Sequence, residues 1–412
     1  MAQGVVIVLL LLVRLLGKAE EHRFEARVAA LRQEGAPVAP EDLKTAPVPD
    51  DRNAAKLLEE GERLLQVHRE QEEFDIWFLD VENATPAERD RMRRYLEGLG
   101  PYFELLAQVP ERPGWHVEFR WDEDSGWPGD DTYSWLQRAR EHLLARVQLD
   151  EDLRGRTERA ARTSVLLVDL AGRCQTRMLL GYFARSAQEC EPAAVLRVAS
   201  RQFGFDAALF RRLVEPRLAR VDDTPGLRRA FAEERVHFIW LFRELGRGRV
   251  PRGYADFLFL RGVLHTSFVW RPVLYHDANR VLDSFEVAIA ASGAPPAEAE
   301  ATASRLEADQ AGGSHGLLLS GGTAQVLAKT LLVRRHLLAV RRLTRVVMAL
   351  IEYRQRERVW PESLAALGEL PLDPCSGKPF VYERTANGAR VRAAVEKPWD
   401  ELEDGQIATR PG

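Results

Sequence analysis

"LLVRRHLLAVRRLTRVVMALIEYR", residues Leu331 to Arg354, carries the clearest periodic pattern in this 412-residue chain. Its apolar stripe repeats at alternating spacings of four and three residues, at Val333, Leu337, Val340, Thr344, Val347 and Ile351. Its arginines fall largely off that stripe, at Arg334, Arg335, Arg341, Arg342 and Arg345. Because an α-helix has 3.6 residues per turn, the pattern predicts one long amphipathic helix.

Similar segments precede this helix and are separated by turns rich in Pro, Gly or Asp. They lie at residues 53–71, 86–109, 132–190, 192–221 and 224–245. No fixed period relates them, so an irregular helical domain over residues 53–345 is expected rather than a repeat array. The segment 292–316 is rich in Ala, Gly and Glu, and it is expected to be an exposed excursion between helices.

The bulk composition fits a packed protein. Apolar residues make up 45% of the chain, and the formal net charge of -4 provides no overall basic field, so no nucleic-acid partner is expected. The three cysteines, Cys174, Cys190 and Cys375, are too few and too scattered for a disulfide framework. Unbridged thiols are expected, with a single Cys174–Cys190 bridge as the alternative.

The chain starts with an apolar run, "VVIVLLLLVRLL" from Val5 to Leu16, broken only by Arg14. Twelve helical residues span roughly 18 Å, against about 30 Å for a bilayer's hydrocarbon core. The run is thus short for a transmembrane helix, but because it is apolar, residues 1–17 are expected to be a membrane anchor or a signal segment. A buried N-terminal helix of a soluble protein is the alternative.

The apolar run leads into a second amphipathic pattern. Phe24, Val28 and Leu31 are spaced by four and three residues, which predicts a stalk helix over residues 18–36. The prolines that follow cannot continue a helix; they are Pro37, Pro40, Pro47 and Pro49. An extended linker is therefore expected over residues 37–52.

The stretch after the long helix predicts a small folded ending. The helix is expected to end near Tyr353, and "VWPESLAALGELPLDPCSGKPFVYER" follows from Val359 to Arg384. The residues that define its corners and its aromatic strand are Tyr353, Trp360, Pro361, Pro371, Asp373, Pro374, Gly377 and Tyr382. Asn387-Gly388 is a strong turn dipeptide, so a β-hairpin is predicted between "FVYER" and "ARVRAAV".

This order of helix, Trp-Pro step, short helix, "LPLDP" turn and aromatic strand resembles the C-terminal region of the major pseudopilin of type II secretion systems. The whole layout resembles a class of uncharacterised bacterial membrane-anchored helical proteins with such an ending. The resemblance implies a pseudopilin-like segment over residues 346–395 and an address in the cell envelope, but no activity. The same residues also fit a simple cap on the last helix, and residues 396–412 are expected to be a flexible acidic tail.

The fold class expected is thus mainly α, with an N-terminal apolar anchor helix, an irregular multi-helical body and a small C-terminal β-hairpin cap. No catalytic residues are expected, because the sequence contains no H-E-x-x-H metal motif, no complete phosphate loop and no G-x-S-x-G nucleophile elbow. No cofactor or metal is expected either.

One stretch combines tryptophans with carboxylates, "WHVEFRWDEDSGWPGDDTYSW" from Trp115 to Trp135. Aromatic faces beside acids bind sugars, cationic peptides or calcium, and the candidate ligand residues are Trp115, Trp121, Asp122, Asp124, Trp127, Asp130 and Asp131. The alternative is a connector whose tryptophans pack on the helical body.

The leading functional expectation is a membrane-anchored protein that binds other envelope proteins or serves as a scaffold. Its expected place is the bacterial inner membrane, crossed once by the N-terminal helix, with the bulk of the chain in the periplasm. The competing expectation is an envelope hydrolase or a glycan- or calcium-binding protein that uses the loop 115–135.

Overall fold

The computed structural model describes residues 2–72, 81, 84–118, 121–122, 127–128, 132–149, 156–173, 179, 182, 189–196, 205–220, 224–251, 267–311, 319–385, 388–393 and 405–408. This part of the chain is mainly helical, as the periodic patterns predict. Two small antiparallel sheets complete it, one between residues 121 and 128 and one at the C-terminal end.

The helices and strands follow one another in chain order. The helices are α1 (Ala2–Gln33), α2 (Ala54–Glu72), α3 (Pro86–Gly98), α4 (Gly100–Gln108), α5 (Thr132–Gln148), α6 (Arg156–Arg173), α7 (Ala207–Arg220), α8 (Thr224–Gly246), α9 (Ser267–Ala291), α10 (Pro296–Ala311) and α11 (Ser320–Glu357). The strands are β1 (Trp121–Asp122), β2 (Trp127–Pro128), β3 (Val381–Thr385), β4 (Gly388–Arg392) and β5 (Gly405–Ala408).

Helix α1 runs without a break from the apolar start into the segment that was expected to be a stalk. Its predicted stripe of Phe24, Val28 and Leu31 is buried in the core formed with α8, α9, α10 and the first half of α11. The Phe24 ring contacts Phe242 and Tyr275 at centroid distances of 6.4 and 5.6 Å. Residues 18–36 are therefore part of the helical body, because this stripe is covered by other helices and not by solvent.

The proline-rich segment 37–52 also packs on the body in place of an extended linker. Val38 and Leu43 are buried, and the Asp42 carboxylate accepts hydrogen bonds from the Val38 and Ala39 N–H groups at 2.9 Å. The prolines do prevent an α-helix, but burial of two apolar side chains holds the segment against the domain.

A second core lies between α2, α3, α4, α5 and part of α6. Asn53 begins α2 as its N-cap, since its side-chain oxygen accepts a hydrogen bond from the Ala55 N–H at 3.1 Å. The same side chain exchanges hydrogen bonds with the His116 backbone at 2.7 and 2.9 Å. One buried amide thus fixes the start of α2 and the segment beside it.

A third core joins α6, α7, residues 195–196 and the second half of α11. Helix α11 also contributes Leu327 and Leu331 to the first core, so it runs along most of the body. It passes unbroken through the expected boundary between residues 53–345 and 346–395. It ends four residues after Tyr353, where Arg358 adopts a left-handed conformation with φ of 63°.

The burial of α11 differs in part from its predicted stripe. Val333 is exposed, whereas Arg335 and Arg341 are buried, because α11 is covered on more than one side. The Arg341 guanidinium lies 2.6 Å from the Glu189 carboxylate, and Arg335 pairs with Glu300 on α10. Carboxylates from neighbouring elements therefore compensate these buried arginines.

The segment 292–316 is not the exposed excursion that its composition indicated. Most of it forms α10, whose Ala299, Ala303 and Leu306 are buried at spacings of four and three residues. Small alanine side chains allow α10 to pack closely on α11.

The C-terminal cap confirms the predicted hairpin. Strand β3 pairs with β4 in antiparallel register, with Val381 opposite Arg392 and Thr385 opposite Gly388. Of the predicted turn dipeptide, Asn387 lies outside the described residues. Residues 405–408, within the expected acidic tail, add β5 to the free side of β4, with Ala389 opposite Ile407.

The predicted corner residues position this cap on α11. Trp360 and Phe380 pack with Val391 against Val346 and Leu350 of α11. The Tyr382 hydroxyl donates to the Pro361 carbonyl at 2.8 Å. Pro374 is buried and Pro371 half-buried in the turn between them.

Asp373 organises that turn from a fully buried position. Its carboxylate accepts hydrogen bonds from the Cys375 N–H and the Ser376 hydroxyl, both at 2.9 Å. The Gly377 N–H donates to the Asp373 carbonyl at 2.8 Å, and Gly377 has a φ of 66°, which favours glycine. Asp373 thus accepts the hydrogen bonds that close this turn.

Candidate functional site

A groove with a volume of about 940 Å³ opens where α3, α4, α5, α6 and α7 meet. It lies at the seam between the second and third cores, so its floor is formed by side chains of both. The apolar lining residues are Leu96, Phe103, Ala107, Pro110, Leu143, Val147, Leu149, Val165, Leu166 and Leu213. A volume of this size is typical of ligand-binding clefts.

The rim of the groove is rich in arginine. Its arginines are contributed by α3 (Arg93), α5 (Arg146), α6 (Arg159 and Arg162) and α7 (Arg217). Among the described lining residues, Glu97 is the one carboxylate. The lining arginines therefore come from four different helices around the groove.

One of these arginines also covers the floor. The Arg146 guanidinium carbon lies 4.4 Å from the centre of the Phe103 ring. Such a cation–π contact orients the guanidinium while leaving its N–H groups directed to the sides. Arg146 thereby connects the apolar floor with the charged rim.

Several rim arginines pair with acids outside the groove. Arg93 lies 2.7 Å from Asp90 and Arg162 lies 2.6 Å from Glu158, each within one helix. Arg217 lies 3.4 Å from Asp169. An exposed ion pair contributes only about 0–1 kcal/mol, so a ligand carboxylate can replace Glu158 as the partner of Arg162 at little cost.

Two tryptophans of the predicted loop site, Trp115 and Trp121, have described side-chain contacts. Trp115 is buried in the second core, beside the start of α2. Trp121 packs on α8, with ring-centroid distances of 5.6 Å to Trp240 and 6.3 Å to His237. The two rings thus pack against different parts of the body, as the connector alternative predicts.

The remaining candidate residues of this loop are described only in part. Asp122 and Trp127 are opposite each other in the β1–β2 pair. Asp124, Asp130 and Asp131 lie outside the described residues. The described residues contain no group of three or more His, Cys, Asp or Glu side chains placed to hold a metal ion.

The other notable surface is the first half of α1. Val8, Leu9, Leu10, Leu11, Leu12, Leu15 and Leu16 are 42–63% exposed. The described helices include none that combines the length and apolarity needed to cross a membrane. The exposed part of α1 ends at Gly17, which is buried against Pro272 of α9.

Glu234 and Cys190 lie away from the groove and have raised pKa values. Burial raises the pKa of the Glu234 carboxyl on α8 to about 7, although the Leu179 N–H donates to it at 3.2 Å. Burial also raises the pKa of the free Cys190 thiol to about 12, so this thiol is not a reactive thiolate at neutral pH. Cys174, its possible bridging partner, lies outside the described residues.

No protein-family model matches this chain, and no curated protein or solved structure is significantly similar to it. The function is therefore inferred from the sequence and structure of this chain. The sequence did not predict the groove, because its arginines come from four separate helices, between Arg93 and Arg217. The only sequence signal was the abundance of arginine on the polar faces of α3, α5, α6 and α7.

Proposed function

We propose that this protein is a membrane-attached binding protein of the bacterial cell envelope. In this proposal the first half of α1 enters the lipid bilayer, and the helical body presents its surface to another protein. The C-terminal segment that resembles a pseudopilin ending favours the envelope over other bacterial compartments.

The observation that carries the proposal is the exposure of Val8 to Leu12 on α1. Successive residues of an α-helix are rotated by about 100°, so five consecutive residues cover its whole circumference. Aliphatic side chains therefore face outward in every direction. A helix that docks on a protein surface needs one apolar face, whereas a helix surrounded by lipid is apolar on all sides.

The second half of α1 supports the proposal by fixing the helix to the body. Arg27 lies 2.8 Å from both Asp283 and Glu286 of α9, and Arg271 of α9 lies 2.7 Å from Glu21. The projecting half is thus a continuation of a rigidly packed helix, and membrane insertion would hold the body close to the lipid surface.

The finer form of the proposal is a single pass through the inner membrane with the body in the periplasm. The fifteen residues from Ala2 to Leu16 span roughly 22 Å, which is less than the ~30 Å hydrocarbon core. A single pass by this segment therefore requires local thinning of the bilayer and snorkelling of the Arg14 side chain to the interface.

Flotation of the full-length protein with phosphatidylcholine vesicles tests membrane attachment. We expect the protein to float, and Leu11→Glu to weaken binding by roughly 100-fold, since a charge within the bilayer costs about 3 kcal/mol. Val67→Glu on α2 is the matched control, because Val67 and Leu11 are 54% and 53% exposed. If wild type fails to float, or Leu11→Glu floats equally well, the proposal is wrong.

Protease digestion of a C-terminal tag in spheroplasts tests the single pass through the inner membrane with the body in the periplasm. Digestion of the tag, while the protein stays in the membrane pellet, is the expected result. Protection of the tag together with a soluble protein would contradict the envelope location.

A further inference from the structure

We propose that the groove between α3 and α7 binds an acidic amphipathic α-helix of another protein. The inference deepens the binding function proposed above by naming the class of partner. It depends on the shape and charge of the groove alone and not on the attachment of α1 to a membrane.

The apolar floor sets the first requirement for the partner. Leu96, Phe103 and Leu143 present apolar surface at the bottom of the groove while being buried in the second core. Apolar side chains of a ligand would cover this surface, and an amphipathic helix places such side chains along one face at positions i, i+3, i+4 and i+7.

The arrangement of the arginines sets the second requirement. A lipid or another small amphiphile carries one anionic head group, which is satisfied by cations gathered at one end of a pocket. Here the lining arginines come from four different helices, α3, α5, α6 and α7. Carboxylates on both flanks of an apolar helix face match this arrangement, because residues three or four apart lie side by side on a helix.

The chemistry of the rim fits carboxylates in particular. A guanidinium group donates two parallel N–H hydrogen bonds to one carboxylate, which gives orientation as well as attraction. Arg162 is 75% exposed and pairs only at the surface with Glu158, so its guanidinium can reach a ligand without leaving a buried charge behind. Among the described lining residues, Glu97 is the one whose carboxylate would repel such a ligand.

The test uses a fluorescein-labelled synthetic 18-residue helix with leucines on one face and glutamates on its flanks, together with the full-length protein. We expect saturable binding by fluorescence anisotropy that weakens as salt increases, because the rim charges are at the surface. We also expect at least tenfold weaker binding of a matched peptide with glutamine in place of every glutamate. Equal affinity for the two peptides would overturn the proposal.

Three variants of the protein locate the binding site. Arg159→Gln combined with Arg162→Gln is expected to weaken binding of the acidic peptide about tenfold, and Ala107→Glu, at an exposed lining position, is expected to weaken it at least as much. Arg249→Gln is the matched control, because Arg249 is 74% exposed and does not line the groove. If both groove variants bind the acidic peptide as tightly as wild type, the peptide does not bind in this groove and the proposal is wrong.

Competition with dodecyl phosphate separates a protein partner from a lipid. Failure of dodecyl phosphate to displace the peptide at tenfold excess is the expected result. If dodecyl phosphate displaces the peptide and binds the protein more strongly than the peptide does, the groove is a lipid site and the proposal is wrong. None of the groove variants is expected to change vesicle flotation, so failure here is distinguishable from failure of membrane attachment.

Discussion

Glu234 shows how a single buried residue makes the stability of this protein depend on pH. The pKa of its carboxyl rises from the ordinary 4.5 to about 7, first because burial penalises the charged form and then because Glu233 lies nearby. The unfolded chain ionises at the ordinary pKa. Between pH 4.5 and 7 the folded state therefore binds more protons, and the free energy of unfolding falls as the pH rises.

We expect Glu234→Gln to remove this dependence. The variant keeps a side-chain oxygen for the Leu179 N–H and carries no charge, so it should be more stable than wild type above pH 7, by at most about 3 kcal/mol. The difference should shrink below pH 5. Urea unfolding at pH 5 and pH 8 measures it, with Glu104→Gln on the exposed side of α4 as the control. If the free energy of unfolding changes equally between pH 5 and pH 8 for wild type and for Glu234→Gln, the raised pKa of Glu234 is contradicted.

Asp373 determines whether the C-terminal cap forms as an element. Removing its carboxylate leaves the half-buried Cys375 N–H and Ser376 hydroxyl without their acceptor, at a cost of about 0.5–1.5 kcal/mol for each hydrogen bond lost. We expect Asp373→Ala to speed amide hydrogen exchange throughout β3 and β4 while α2 to α5 remain protected. Asp373→Asn keeps one oxygen acceptor and should lose less protection. Uniform acceleration across the molecule would show that the cap does not unfold locally.

The helices show which features of an element can be predicted from sequence. Periodicity located α11 and the buried stripe of α1, because one face of each helix is apolar. It failed for Arg335 and Arg341, since their burial depends on Glu300 and Glu189, which are supplied by other elements. Composition failed for α10, because alanine and glutamate suit an exposed loop and a tightly packed helix equally well.

At the scale of the whole molecule, α11 connects the first and third cores and the cap. The Arg341–Glu189 pair lies in its middle, with side chains that are 4% and 0% exposed. The N···O distance of this pair equals that of Arg162–Glu158, 2.6 Å, but burial changes what the pair contributes to the free energy of unfolding. An exposed pair contributes about 0–1 kcal/mol, whereas breaking a buried pair leaves an uncompensated charge that costs about 3–5 kcal/mol.

We therefore expect Arg341→Met to destabilise the protein by about 3–5 kcal/mol and Arg162→Met by less than about 1 kcal/mol. Because α11 belongs to several cores, the loss should appear as one shifted transition in urea, followed both by circular dichroism and by tryptophan fluorescence. Adding Glu189→Leu to Arg341→Met should restore part of the stability. A loss of similar size in both single variants would contradict the role of burial.

The groove is also a property of the whole molecule, which explains why the sequence did not predict it. Leu96 and Arg93 on α3 line the same groove as Leu213 and Arg217 on α7, although α3 belongs to the second core and α7 to the third. Each helix alone has an ordinary polar face. The tryptophan-rich loop shows the opposite case, because residues that are close in sequence, Trp115 and Trp121, pack on different parts of the body.

Because α1 packs on α9, which is far away in the chain, α1 is synthesised well before its partner. The Arg27 guanidinium donates to the Asn279 carbonyl, 252 residues further along the chain. At a synthesis rate of about 5–20 residues per second, α9 leaves the ribosome roughly 10 to 50 seconds after α1. During that interval Phe24, Val28 and Leu31 have no partner from α9. The nascent chain therefore exposes the apolar run from Val5 to Leu16, followed by the apolar stripe of Phe24, Val28 and Leu31, to the factors that receive new proteins.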